Sequence, residues 1–119
     1  MNQGQALLLS LLLEIPTALA LCALWGPAAH RGLGRVALTG LAATMLTHPF
    51  AWTLLPGLHA VLPFWARALL VEGGVAVIEG LLYSRLAGLS GARGQAVGWS
   101  ANAVSYGVGL VIFAMTRSG

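Results

Sequence analysis

The sequence predicts an all-α polytopic membrane protein: a bundle of four transmembrane helices with short loops, its N-terminus and C-terminus both on the outer side. Three observations carry that prediction. Of the 119 residues, 58% are hydrophobic and 8% are charged, where a soluble domain is about 45–50% apolar and about 25% charged; the mean hydropathy is +0.85. Four windows of roughly 20 mostly apolar residues, the length a helix needs to cross a bilayer core, stand between turn signals. The arginines fall in alternate loops.

The first span covers about 5–25 and is stopped by Trp25, Gly26 and Pro27. "ALLLSLLLEIPTALALCA" has the apolar look of a signal peptide, but no Lys or Arg precedes Arg31, and Glu14 and Pro16 interrupt its centre. Leu21 before Cys22 also spoils a lipoprotein cleavage site, so this stretch is read as a retained first helix. The second span, about 34–55, stops at Pro56 and Gly57. The third, about 63–86, opens with Pro63, tolerated in a first turn because its missing N–H would have no partner there. The fourth covers about 95–115. Short connections leave no room for a second domain, so residues 1–119 form one unit.

Orientation follows from charge. Arg31 and Arg35 lie in loop one and Arg85 and Arg93 around loop three, against Arg67 and Arg117 on the opposite side. Loops with excess Arg stay cytoplasmic, which puts both termini outside and suggests a bacterial inner membrane. Trp25, Trp52, Phe64 and Trp65 fall near span ends as interfacial anchors. The net charge of +3 comes from six Arg and no Lys, loop charges that imply no nucleic-acid partner. A single cysteine, Cys22, excludes a disulfide framework and Cys-based metal motifs.

Small residues at helical spacing mark the inward faces: Gly40, Thr44 and His48 in span two, Gly73, Ala76 or Val77, and Gly80 in span three, and Ala101, Ser105 and Gly109 in span four, with a Gly94/Gly98 pair. On those faces stand the ionisable candidates Glu14, His48, Glu72 and Glu79. A charged residue at a helix centre costs about 2.5–3.5 kcal/mol on insertion scales, so such groups pair, are neutralised or are wetted. Glu72 and Glu79 are two turns apart, roughly 10 Å along one face, and Tyr83 continues that face within reach of Glu79. The expected rungs of a polar ladder are His48 with Glu72, and Glu79 with Asn102 or Ser105; Thr44 is further interhelical glue. Glu14 is expected near mid-membrane and Glu79 deeper, toward the inner side. Arg67 is expected to snorkel, with pairing to Glu72 five residues on as the alternative, and His30 and His59 to be solvated in loops. Pro16 beside Glu14, and Pro49 after His48, predict helix breaks next to ionisable groups, tolerated at depth only inside protein or beside a wet cavity.

Catalytic motifs are missing: no H-E-x-x-H, no nucleophile elbow, no P-loop, and no Glu three residues before His48 for a ferritin-like iron site. "GLGRVA" lies between spans without a preceding strand and is not a dinucleotide site. No cofactor is expected; a metal at these positions, or a pigment on His48, stays open.

In size and in the placement of Glu14 within "LLLEIPTALA", the chain is similar to the small multidrug resistance exporters. Those four-helix proteins use an embedded Glu of helix one to exchange protons for cationic drugs. The similarity covers architecture and that residue; the family's aromatic and loop patterns are missing, and Glu72 and Glu79 are additional.

The leading expectation is a small non-enzymatic accessory or structural subunit of a larger membrane complex, locked by its buried Glu/His cluster and surrounded by lipid and other subunits. The alternative is a proton-coupled or cation-binding transporter acting as an oligomer, with Glu14, His48, Glu72 and Glu79 as relay.

Overall fold

The first helix starts where the sequence supplies a reciprocal cap. The Gln5 N–H donates to Asn2 Oδ1 at 2.8 Å and the Asn2 N–H donates to Gln5 Oε1 at 3.1 Å, satisfying two donors that a helix start leaves without partners. From there α1 (Gln3–Trp25) runs to Gly26, whose φ of 91° lies in the left-handed region, and a 3-10 turn (Pro27–Ala29) leads into α2 (Leu33–Gly57). α3 (Phe64–Leu86) follows Pro63, and α4 (Gly91–Ser118) starts behind Ser90, whose hydroxyl oxygen accepts from the Arg93 N–H at 3.2 Å. That cap explains why α4 begins before the expected residue 95: its first turn, Gly-Ala-Arg-Gly, is held by a hydrogen bond and not by apolar content.

The structure is a computed structural model that describes residues 2–58 and 60–118, the side chains of Leu55, Pro56, Arg117 and Ser118 excepted. His59 and the Arg117 side chain thus lie outside the described residues. Among these residues there are four α-helices and no strand.

Pro16 and Pro49 do not break their helices. α1 and α2 continue through both. Each proline removes one hydrogen bond from the ladder, that to Leu12 or Met45, and the turns around it hold. Next to each proline a threonine hydroxyl also donates back to its own helix, Thr17 to the Leu13 carbonyl at 2.7 Å and Thr47 to that of Ala43 at 2.9 Å. Both proline rings are exposed on the outer face, where they displace no neighbouring helix.

The helices form a ring in which α1 packs on α2, α2 on α3, α3 on α4 and α4 on α1, and among the described residues no backbones come close across either diagonal. α3 and α4 approach most closely at glycines. A Cβ on Gly98 would stand 2.6 Å from the Ala76 carbonyl oxygen and 2.7 Å from the Gly80 nitrogen, and one on Gly94 would stand 2.6 Å from the Gly80 carbonyl oxygen. The small residues expected to mark this contact therefore do so by letting backbones touch.

One end of the ring is solid. Ala18, Cys22, Val36, Tyr83, Leu89 and Val97 are buried against one another there, with Trp25 packed on them. The two arginine-bearing loops close it: the Arg31 N–H donates to the Ala87 carbonyl at 2.8 Å, Arg35 Nε donates to the Leu86 carbonyl, and the Arg93 guanidinium lies 5.4 Å over the Trp25 ring. A backbone amide and one guanidinium thus satisfy carbonyls that the end of α3 leaves open.

The outside is apolar. Leu24 is 82% exposed and Leu8, Leu12, Phe50, Leu69 and Phe113 are exposed as well, while Glu14, Thr44, Thr47, Glu79 and Asn102 are buried. Two helices, α1 and Gly91–Thr116 of α4, are long and apolar enough to cross a membrane by length and composition.

Candidate functional site

Opposite the solid end, the ring surrounds a half-open cavity of ≈ 490 Å³. The chain contains three acidic residues, and all of them, Glu14, Glu72 and Glu79, line this one space together with His48. Helical spacing brings them in. Ser10 and Glu14 are one turn apart on α1; Thr44, Thr47 and His48 share a face of α2; Glu72, Val75 and Glu79 share a face of α3; Asn102, Ser105, Tyr106 and Gly109 share one on α4. Trp52, Phe64, Tyr106 and Phe113 surround the carboxyls with aromatic surface.

Glu79 forms the floor and is 2% exposed. Thr44 Oγ1 of α2 donates to its Oε2 at 3.2 Å, and Asn102 Nδ2 of α4 donates to its Oε1 while also donating to the Gly98 carbonyl at 2.8 Å. Glu14, 4% exposed, reaches from α1 across the ring toward Glu79 of α3 and Ser105 of α4. The expected rung between Glu79 and Asn102 is formed, and Glu14 and Glu79 meet at one level, not at two depths.

Other expected positions differ. His48 and Glu72 line the same cavity without a hydrogen bond between them: the His48 ring stacks on Trp52, centroids 6.0 Å apart and planes 30° apart, and its buried Nε2 has no hydrogen-bond partner. The cause is the i, i+4 spacing of His48 and Trp52, which turns the imidazole along its own helix. Tyr83 sits in the solid end, not in the cavity, its hydroxyl against Gly40, where a Cβ would be 2.7 Å away. Ser105 Oγ donates to the Asn102 carbonyl at 3.3 Å. Arg67 does not snorkel; it is buried, with its guanidinium 5.4 Å over the Phe64 ring. His30 is part-buried, and its Nδ1 accepts the Gly32 N–H at 2.9 Å.

Thr47 and Tyr106 are cavity residues that the sequence reading did not single out. The signal was available: Thr47 is three residues from Thr44, and Tyr106 four from Asn102, on faces already assigned as inward.

Chemically, the arrangement offers three carboxyls and an imidazole in a largely apolar enclosure that includes four aromatic rings. It can hold a proton between Glu14 and Glu79 and balance the charge of a cation entering from above. Among the described residues, no three or more His, Cys, Asp or Glu are grouped so as to hold a metal ion. No family model, curated protein or solved structure matches the chain.

Proposed function

We propose that the chain is a four-span integral membrane protein that binds a small organic cation in its cavity and exchanges it for protons, acting as an oligomer. One observation carries the reading: all three acidic side chains and His48 line a single cavity, and among the described residues no arginine lines it. A site of that sign inside an apolar shell selects positive charge. The contact between Glu14 and Glu79 supplies the proton to be displaced.

Four spans are supported by where α2 and α3 put their side chains. Their polar residues Thr44, Thr47, Arg67 and Glu79 turn inward, while Leu38, Met45, Leu46, Leu69, Ile78 and Leu81 face out, the arrangement lipid requires. The long dimension of 45 Å fits a bilayer of about 40–45 Å including headgroups. In this reading the arginine-bearing end is cytoplasmic in a bacterial inner membrane, and the cavity faces outward.

The test is a titration of the purified protein in phosphatidylcholine nanodiscs with tetraethylammonium, reading bound cation and released protons together. Saturable binding with proton release, lost in the Glu14→Gln/Glu79→Gln double variant, is expected. No binding, or binding indifferent to the double variant, sinks the reading.

A structural-subunit function has its own support in the bonds from Thr44 and Asn102 to Glu79, which tie α2, α3 and α4 together. It expects no cation-dependent proton release, and a stoichiometric larger partner retained after mild solubilisation.

A further inference from the structure

The solid end carries a charge that the bundle does not balance. Arg31, Arg35, Arg85 and Arg93 stand there and are exposed. The chain has three acidic residues, and all of them line the cavity at the other end, so no acidic side chain meets these arginines.

Two of the four are fixed on one short segment. The stem of Arg31 lies across Gly88, where a Cβ would stand 2.9 Å from its Cδ and 3.0 Å from its Nε. Gly88 has a φ of 78°, so this position needs glycine for the turn and again for the arginine above it. Arg35 Nε donates to the Leu86 carbonyl. Leu86 and Gly88 are two residues apart, at most about 7 Å of chain, and the two guanidinium groups therefore emerge as neighbours over the turn that follows α3. Arg35 commits its Nε–H to the clasp, and among the described residues its terminal nitrogens and the whole Arg31 guanidinium donate to no acceptor. Two adjacent forks of like charge, open to the outside, fit the oxygens of a phosphate.

The surroundings say which phosphate. Leu33, between the two arginines in sequence, and Leu86, whose carbonyl Arg35 grips, are exposed. From one turn beyond Arg35, Leu38, Leu41 and Met45 continue an exposed apolar stripe along α2. A free phosphate ion gains nothing from that surface, whereas a phospholipid with its phosphate on the arginines lays an acyl chain along it. Charge narrows the headgroup. The ammonium of phosphatidylethanolamine or the choline of phosphatidylcholine would enter a region of four arginines and no acidic side chain; an anionic headgroup brings no such cation.

We infer that Arg31 and Arg35 form a seat for the phosphate of an anionic phospholipid of the phosphatidylglycerol type, in the leaflet beside the solid end. Its phosphate bridges the turn before α2, and its acyl chain follows Leu38, Leu41 and Met45. The inference rests on the bilayer placement of the helices and on nothing in the cavity.

The experiment is native mass spectrometry of the full chain in dodecylmaltoside, titrated with dioleoylphosphatidylglycerol or with dioleoylphosphatidylcholine. The first phosphatidylglycerol is expected to bind about tenfold more tightly, a charge-assisted preference. Arg31→Gln, which removes a guanidinium that clasps nothing, is expected to abolish that preference. Arg85→Gln removes the same charge from the same end, but on the face of α3 opposite the buried Tyr83, and is expected to change the affinity by less than about twofold, as an exposed charge outside the seat does. Equal losses in the two variants would mean diffuse attraction and overturn the seat. Equal binding of the two lipids, a preference that survives Arg31→Gln, or displacement of the lipid by millimolar inorganic phosphate overturns it as well. A chain that binds neither lipid overturns the inference together with the bilayer placement, whereas the tetraethylammonium titration tests the cavity alone.

Discussion

The side-chain amide of Asn102 on α4 holds two acceptors at once, the Glu79 carboxyl of α3 and the Gly98 carbonyl of its own helix. Asn102→Ala removes a bond between helices; such bonds contribute about 0.5–2 kcal/mol, and a loss of that size is expected in denaturing-detergent titrations. Asn102→Asp replaces the donor by an acceptor facing another carboxyl and should cost more. An aspartate variant as stable as the parent would show that the bond is not made.

Backbone crossing at Gly98 sets a second expectation. A Cβ there meets the Ala76 carbonyl and the Gly80 nitrogen, neither of which can rotate away, so Gly98→Ala should lower stability by about 1–3 kcal/mol, as overpacking does. Gly109, on the same helix, has nothing within 4 Å of its missing Cβ, and Gly109→Ala should be close to neutral. Equal effects at the two positions would argue against the crossing.

Continuous helices through Pro16 and Pro49 predict tolerance. Both rings are exposed, and alanine restores an N–H to the Leu12 or Met45 carbonyl, so Pro16→Ala and Pro49→Ala should change stability by less than about 1 kcal/mol and leave helical circular dichroism unchanged or slightly raised. A large loss in either would mean that the proline shapes the bundle.

The orphaned Nε2 of His48 bears on which ammonium ions are preferred. With the ring proton on Nδ1, Nε2 accepts a hydrogen bond, which a primary ammonium can donate and a quaternary one cannot. One such bond to a charged donor, about 1.5 kcal/mol, gives roughly a tenfold preference for dodecylammonium over dodecyltrimethylammonium. His48→Phe should erase that preference. Equal affinities in the parent protein would remove His48 from the site.

Much of this arrangement was legible in the sequence because helices with an apolar exterior must bury their few polar side chains against one another. Glu14, His48, Glu72 and Glu79 were identified from their chemistry alone, and they line one cavity; the Gly94/Gly98 spacing predicted a close approach that occurs at Gly80. Pair identities were less legible. Helical periodicity gives the direction of a side chain but not its height against a neighbour, so the His48 with Glu72 rung was expected where His48 instead stacks on Trp52. Tyr83 shares a face with Glu79, yet one further turn carries it out of the cavity into the packed end. The start of α4 escaped a search for apolar windows because a cap at Ser90, and not hydropathy, determines it.

The glycine crossing of α3 and α4 has a mechanical consequence. Gly98 lies near the closed end and Phe113 beside the cavity on the same helix, about 22 Å apart along the axis at 1.5 Å per residue. The crossing is a fulcrum and the rest of α4 a lever arm. A tilt of about 5° at the glycines displaces the far end by about 2 Å over that length, widening or narrowing the gap beside Glu72 by about the radius of a methyl group while the arginine-clasped end stays shut.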